Sequence, residues 1–208
     1  MSYEIPSDAP TVLVTAVGGA EGARGAAAAL ACAGTDVDRA ALLVDLGGRA
    51  PRPTLIASTP ARALEERLAS HLPRPRVAAR GQVCHLAAAA DEDGFAAAAA
   101  AVTVARGALA VLYVPAAAMG EVLESERSPR ASGVLLRADV AADRPLLALV
   151  AHDLMDRGLA VGVLKRRLGW VDERRALFGV LAGGLPPALL RRLVPRAPGQ
   201  VADRRMVA

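Results

Sequence analysis

The feature of this sequence that most limits its fold is the alternation of short, β-branched apolar runs with longer segments rich in alanine and leucine. This alternation is typical of a parallel sheet covered by helices on both faces, because buried parallel strands read as continuous apolar runs and each crossover needs a helix. We therefore predict an α/β fold with a mostly parallel sheet in three layers. The predicted strands are residues 11–17, 40–45, 82–86, 109–114, 133–138 and 159–164.

The segments between these strands have a composition that favours helices. We predict helices at residues 22–33, 60–71, 91–106, 116–126 and 143–157, with Asp91 and Asp143 at helix starts. The third helix is almost entirely alanine, so close packing on small side chains must hold it. Residues 1–170 then form one α/β domain. Residues 171–208 form a helical C-terminal extension, with short helices at 174–181 and 187–193 and a basic tail.

The charge and the cysteine content of this chain limit the kinds of partner and the cellular compartment that we expect for it. The 208 residues contain 25 Lys+Arg and 21 Asp+Glu, and Lys165 is the only lysine. The arginines are spread along the chain and aromatic residues for base stacking are few, so we do not expect a nucleic-acid partner. Cys32 and Cys84 lie in apolar segments without other ligands at metal spacing, which predicts two buried thiols in a reducing compartment.

The apolar segments of the chain do not predict a membrane span. The N-terminus lacks a basic region followed by an apolar core, so we expect no signal peptide. The longest apolar stretch, residues 95–120, is interrupted by Arg106 and consists largely of alanine. A helix followed by a buried strand explains this stretch better than a membrane span. We therefore expect a cytoplasmic protein.

A glycine-rich turn follows the first predicted strand and contains Gly18, Gly19, Gly22 and Gly25, with a helix after it. Such a turn presents free backbone N–H groups at the positive end of a helix, an arrangement that attracts phosphate. The alternative is a tight strand-to-helix turn whose glycines only let the two elements pack closely. Both interpretations fit the sequence.

This turn lacks the residues of a hydrolytic phosphate loop. The pattern G-x-x-x-x-G-K-[ST] supplies a lysine for the β and γ phosphates and a hydroxyl for Mg²⁺. Ala23 and Arg24 stand at those two positions, and Lys165 belongs to a different element. Arg24 is long enough to reach a phosphate, but a guanidinium does not ligate magnesium.

Over residues 10–168 the chain resembles the MinD/ParA-type P-loop ATPases, in particular their divergent relatives of the CpaE/TadZ kind. The resemblance rests on the glycine turn, on the strand 41–46 with its carboxylate Asp45, on the segment 83–87, and on a later strand-helix-strand unit within 132–164. It implies a P-loop-like fold, protein partners in pilus assembly, secretion, septum placement or partition, and a homodimer. The glycine turn or the face of residues 116–126 would then lie at the dimer interface.

Three departures from that family predict that nucleotide hydrolysis is lost. The strand 109–114 runs into Pro115-Ala116-Ala117, where the family has an aspartate that organises Mg²⁺ and water. Asp45 is followed by Leu46-Gly47-Gly48-Arg49 in place of the family's Asp-Pro-x-Gly continuation, and Lys165-Arg166 replaces a base-contacting asparagine. The lysine and hydroxyl of the phosphate loop and the acid after strand 109–114 are therefore missing together, and each loss removes positioning or stabilisation that phosphoryl transfer requires. We expect a non-catalytic binding or scaffold protein without a required cofactor, able at most to retain residual ATP or ADP binding.

A dinucleotide site is the alternative. Gly19, Gly22 and Gly25 also fit the G-x-x-G-x-x-G turn of extended short-chain dehydrogenases, and Asp45 follows Gly19 by 26 residues, close to where a carboxylate binds the adenosine ribose. The Tyr-x-x-x-Lys pair of that family is absent, because Ala117 follows Tyr113 at the lysine position. NAD(P) binding without that chemistry stays open.

Other candidate chemistry is limited to one histidine and one acidic run. We expect His85 at the carboxyl end of a strand, where α/β sheets bind ligands, with a purely structural histidine as the alternative. The acids at 91–93 resemble a metal site, but capping of a helix explains them more simply. We therefore predict no metal site and no catalytic residue.

Overall fold

The computed structural model describes residues 11–17, 22–35, 40–49, 57–72, 76–138 and 144–164. Strands and helices alternate along most of this part of the chain. In order they are β1 (Thr11–Val17), α1 (Ala23–Ala33), β2 (Ala41–Asp45), α2 (Thr59–His71), β3 (Arg76–Arg80), β4 (Val83–Ala87), α3 (Glu92–Val104), β5 (Ala110–Tyr113), a 3₁₀ turn (Ala116–Ala118), α4 (Met119–Glu124), β6 (Gly133–Ala138), α5 (Arg144–Asp156) and β7 (Ala160–Leu164).

The seven described strands form one sheet in the order β3-β4-β2-β5-β1-β6-β7. Every neighbouring pair is parallel except β3 with β4. The predicted α/β fold with a mostly parallel sheet is therefore confirmed. Strand β5 lies between β1 and β2, so the two strands that the glycine turn and α1 connect are not adjacent.

Helices cover both faces of the sheet and define two apolar cores. On one face, Leu13, Leu42 and Leu112 pack with residues of α2, α3, α4 and α5. On the other face, Val14, Leu43 and Val111 pack with α1, which is the described helix on that side. Alternate residues of each strand enter opposite cores, as the two-residue period of a strand requires. The result is the predicted three-layer arrangement.

Small residues allow the close approach of helices to the sheet. In α3 the buried residues are Gly94, Phe95, Ala98 and Ala101, as its alanine-rich sequence predicts. A side chain on Gly94 would overlap the carbonyl oxygen of Ala89, so the first turn of α3 admits only glycine there. Asp91 caps this helix, because its Oδ1 accepts a hydrogen bond from the Gly94 N–H at 2.8 Å. The capping interpretation of the acidic run is confirmed.

Two elements differ from the prediction. Strand β3 was not predicted, because Arg76–Arg80 is short, lies at the edge of the sheet and carries an arginine at each end. The single helix predicted at 116–126 is a 3₁₀ turn followed by the six-residue helix α4. The helices and basic tail predicted for residues 171–208 and the helix start predicted at Asp143 lie outside the described residues.

The apolar stretch at 95–120 folds as the sequence predicts, with α3 followed by the buried strand β5. In the part of the chain that the structure describes, no helix has the length and apolar character needed to cross a membrane.

Candidate functional site

The candidate site lies at the carboxyl edge of the sheet, where β1 leads through the glycine turn into α1. Gly18 and Gly19 lie outside the described residues, whereas Gly22 is the N-cap of α1. The backbone of Gly22 is left-handed, with φ of +90°, a conformation that side chains other than glycine rarely adopt. A glycine at this position is therefore required for the chain to enter the helix.

Arg24 and Asp45 form an ion pair at this edge. The Nε of Arg24 lies 2.8 Å from Oδ2 of Asp45, and its Nη2 donates to Oδ1 at 3.2 Å. The Asp45 side chain is 2% exposed and that of Arg24 is 38% exposed. The Nη2 contact is a hydrogen bond, whereas the Nε contact is an ion pair without hydrogen-bond geometry, because Nε of Arg24 has no hydrogen-bond partner among the described residues. The two charged residues predicted to bind a ligand thus bind each other.

Two further groups complete the surroundings of this pair. The backbone N–H of Gly47 donates to Oδ1 of Asp45 at 2.9 Å. The Arg24 guanidinium lies over the ring of Tyr113, 4.8 Å from its centroid, which adds a cation–π contact. Register explains this arrangement, because Tyr113 is the cross-strand neighbour of Asp45. Both carboxylate oxygens and one face of the guanidinium are therefore in contact with protein groups.

Gly47 must be glycine for this geometry. A Cβ built on Gly47 would overlap Nη2 of Arg24 and would lie 3.0 Å from Oδ1 of Asp45 and 3.1 Å from the Tyr113 ring. Gly25 is different, since a Cβ there would meet no atom within 4 Å. Gly25, which the sequence predicts as a ligand-binding glycine, thus has open space around it. Gly47, which the sequence does not predict, is tightly confined.

His85 lies in the middle of β4 and not at its end, because the strand runs from Val83 to Ala87, one residue later than predicted. It shares the face of Asp45, with Leu43 as its neighbour on β2. Burial lowers the pKa of His85 below its ordinary value of 6.5, the Asp45 charge opposes this, and the charges of Arg24 and Arg80 lower the pKa further. Its Nε2 is buried without a hydrogen-bond partner among the described residues.

Sequence reasoning missed Arg137, the largest of the fully buried side chains in the described part of the chain. Arg137 lies on β6, and its Nη1 donates to the carbonyl of Leu164 at 3.2 Å. Its Nε would lie 3.8 Å from a Cβ on Gly22, so the guanidinium adjoins the start of α1. The available signal was an arginine inside the otherwise apolar strand Gly133–Ala138.

The end of β5 carries no acid beside the glycine turn. Val114 is buried and bonded to β1 through a backbone hydrogen bond of 2.9 Å to Val14, and Pro115 and the alanine turn follow. Among the described residues, no group of three or more histidine, cysteine, aspartate and glutamate side chains is placed to hold a metal ion.

Neither Cys32 nor Cys84 forms a disulfide bond. Cys84 is buried as predicted, and burial, with a smaller contribution from the Glu65 charge, raises its pKa to about 12. Cys32 is only half-buried, so the prediction of two buried thiols is wrong for Cys32. Its position on α1 near the helix end explains this exposure, since the buried neighbours Ala31 and Ala33 face the sheet.

No protein-family model matches the chain, and no curated protein matches its sequence.

Proposed function

We propose that this protein is a non-catalytic, MinD/ParA-like binding or scaffold module in which nucleotide hydrolysis is lost. Its P-loop-like domain would present surfaces to protein partners, which the resemblance places in pilus assembly, secretion, septum placement or partition. A homodimer through the glycine turn or the face of residues 116–126 belongs to the same proposal.

The observation that carries this proposal is the ion pair between Arg24 and Asp45. A catalytic site of this family needs a cation free to meet phosphate and a carboxylate free to orient magnesium and water. Arg24 in the first turn of α1 and Asp45 at the end of β2 are the two charged residues predicted to bind a ligand here, and they neutralise each other at 2.8 Å. The ion pair between Arg24 and Asp45 therefore supports a structural role for these two residues, in which they hold α1 against β2 and β5.

The strand order adds a second argument. Because β5 lies beside β1, an acid at the end of β5 would be well placed to organise a metal on a phosphate held by the glycine turn. Val114, Pro115 and three alanines occupy that place. Without a positioned acid, the developing charge of phosphoryl transfer is not stabilised, which supports the loss of turnover.

Three observations weigh against the dinucleotide alternative. The Rossmann order places the first two strands side by side, whereas β5 separates β1 from β2 here. The Asp45 carboxylate, which would bind ribose hydroxyls, is occupied by Arg24 and Gly47. The third glycine of the fingerprint serves close helix-strand packing, yet Gly25 faces open space.

Ligand titration with the full chain tests the proposal. Thermal unfolding is followed with Mg-ATP, ADP, NAD and NADP, and phosphate release is measured with Mg-ATP. We expect no turnover and no shift in melting temperature, whereas a bound ligand at 100 times its Kd would stabilise the fold by about 2.7 kcal/mol. Magnesium-dependent turnover contradicts the proposal, and a shift with NAD or NADP alone favours the alternative.

A matched pair of glycine variants locates any binding that is detected. Gly22→Val would block the approach of phosphate to the start of α1, whereas Gly25→Ala adds a methyl group in open space. Binding that is lost in Gly22→Val and kept in Gly25→Ala identifies the turn as the site. Equal affinity in both variants places the ligand elsewhere.

A further inference from the structure

Strands β3 and β4 carry positive charge on one face of the sheet. Arg76 and Arg80 begin and end β3, and because side chains alternate along a strand they lie on the same face. Register identifies that face, since Arg80 is the cross-strand neighbour of Val83, which belongs to the core beneath α1. The intervening Val77 and Ala79 pack in the opposite core. Both arginines therefore lie on the side of the sheet that carries α1.

The guanidinium groups of these two arginines are accessible. Helix α2 packs on β3 and β4 from the opposite face, whereas α1 packs chiefly on β1, β2 and β5. Arg76 and Arg80 are both exposed. In the part of the chain that the structure describes, neither guanidinium has an ion-pair or hydrogen-bond partner. Both charges are thus available to a group from outside this part of the chain.

The acid nearest to this face in the sheet is already bound. Strands β3 and β4 contain no aspartate or glutamate. Asp45 on the neighbouring strand β2 is paired with Arg24. Arg49 adds an exposed cation just beyond Gly48, whose N–H donates to the carbonyl of Ala88 after the end of β4. The charge on this part of the sheet is therefore positive.

His85 lies on the same face of β4. It is the cross-strand neighbour of Ala78, which stands midway between the two arginines of β3. Burial lowers the pKa of His85, Asp45 opposes this, and the charges of Arg24 and Arg80 lower the pKa further. The imidazole therefore responds to charge on this face. We call Arg76, Arg80 and the half-buried His85 the basic face of β3 and β4.

The spacing of the two arginines fits an acidic protein segment. Four residues of a strand span about 13 Å, and acidic residues four positions apart in an extended segment present carboxylates at the same separation. Guanidinium groups pair with carboxylates through charge-assisted hydrogen bonds. Strands β3 and β4 carry no phenylalanine, tyrosine or tryptophan on which a base could stack, so a single-stranded nucleic acid fits this face less well.

We propose that the basic face of β3 and β4 is a docking surface for an acidic segment of a protein partner. Carboxylates of that segment pair with Arg76 and Arg80 and lie over His85. This inference goes beyond the proposed function, because it uses neither the glycine turn nor the loss of hydrolysis. The alternative is that the arginines only protect an outer strand from pairing with another sheet, a role that glutamates at the same positions would also fill.

Peptide binding to the full chain tests the proposal. Fluorescence anisotropy follows a labelled decapeptide of alternating glutamate and threonine at physiological ionic strength. The native chain is compared with Arg76→Glu, Arg80→Glu and with the charge-matched control Arg106→Glu, Arg130→Glu, whose arginines are exposed outside β3 and β4. We expect the affinity to fall at least about tenfold in the first double variant and less than about twofold in the control, because only the first replaces attraction by repulsion on the proposed face.

The imidazole of His85 is an internal reporter of the same binding. Its pKa is measured by NMR with and without the peptide, and His85→Gln identifies its resonance. We expect the pKa to rise on binding, because carboxylates beside Arg80 offset the positive charge that lowers it. A decapeptide of alternating lysine and threonine is the control and should leave this pKa unchanged.

Four results would overturn the proposal. Absence of saturable binding of the glutamate peptide would leave protection of the outer strand as the role of the arginines. Equal weakening in the two double variants would show an effect of net charge alone. An unchanged pKa of His85 at saturating peptide would place the peptide elsewhere. Tighter binding of a thymidine decanucleotide that depends on Arg76 and Arg80 would assign the face to nucleic acid.

Discussion

Arg24 of α1 contacts Asp45 of β2 through two pairs of atoms, Nε with Oδ2 at 2.8 Å and Nη2 with Oδ1 at 3.2 Å, although β5 separates β2 from β1, the strand that precedes α1. The contact joins the first turn of α1 to the end of β2 and passes over Tyr113 at the end of β5. A single side chain from the helix thus fixes the helix relative to two strands.

Replacing Arg24 should destabilise the fold more than replacing Asp45. Arg24→Gln leaves the buried Asp45 carboxylate with only the Gly47 N–H, whereas Asp45→Asn leaves a partly exposed guanidinium that water can solvate. A buried pair that loses one partner costs about 3–5 kcal/mol, and the partial exposure of Arg24 reduces this to about 2 kcal/mol for Arg24→Gln and about 1 kcal/mol for Asp45→Asn. Urea unfolding measures both values.

The double variant and an exposed pair serve as controls for that prediction. Arg24→Gln with Asp45→Asn should cost less than the two single changes added together, because the contact can be lost only once. Arg127→Gln removes an exposed ion pair with Glu92 at 3.7 Å and should change stability by less than about 0.5 kcal/mol. Additive single effects would show that Arg24 and Asp45 are not coupled.

Two glycine-to-alanine substitutions should change the stability of the protein in opposite directions. Gly25→Ala adds a methyl group in open space on α1 and should stabilise the protein by about 0.5–1 kcal/mol, because alanine is the better helix former. Gly47→Ala forces the Arg24 guanidinium away from Asp45 and should destabilise by about 1–2 kcal/mol. Thermal and urea unfolding measure both changes relative to the native chain. Stabilisation in both variants, or destabilisation in both, would contradict the prediction.

The sequence predicts most of this fold because buried parallel strands and capped, alanine-rich helices are local patterns. The first strand and Gly133–Ala138 are predicted to the residue, and Asp91 caps α3 as its position suggests. Strand β3 has no apolar run of its own, and pairing with β4 decides its conformation. A signal was present, since Gly81 with φ of +56° begins a two-residue hairpin turn between Arg80 and Val83.

The site is less predictable, because its geometry depends on the strand order. Arg24 and Asp45 are both identifiable as candidates, but nothing local shows that they meet, since this depends on where α1 crosses β2 and β5. The need for glycine at position 47 becomes apparent only when the Arg24 guanidinium is seen to occupy the space next to it. Arg137 is a charge in a buried strand, and its position beside Gly22 follows only from the pairing of β6 with β1.

The stability of the protein should fall as the solution becomes more acid than the ordinary pKa of histidine, and His85 should contribute to this. Its pKa is lowered in the folded chain from 6.5, chiefly by burial, with Arg24 and Arg80 lowering it further and Asp45 opposing them. Below pH 6.5 the unfolded chain therefore binds a proton that the folded chain does not, so the free energy of unfolding decreases as the pH falls through that range.

Urea unfolding above and below that pH measures this contribution. His85→Gln, which does not titrate, should show a weaker loss of stability on acidification than the native chain. His152→Gln is the matched control, because it removes one imidazole from an exposed position on α5. An identical pH dependence in His85→Gln and the native chain would mean that His85 is not the titrating group.

The two thiols should react with very different rates in the native protein. Cys84 is fully buried with a pKa of about 12, so at pH 8 only about 10⁻⁴ of it is thiolate, the reactive form. Cys32 is half-buried and should react first with an aromatic disulfide reagent, while Cys84 should react only as fast as the core opens. Cys32→Ala should remove the fast phase, and both thiols should react together in denaturant. Rapid modification of Cys84 in the native Cys32→Ala variant would show that the core between β4 and α2 is open to solvent.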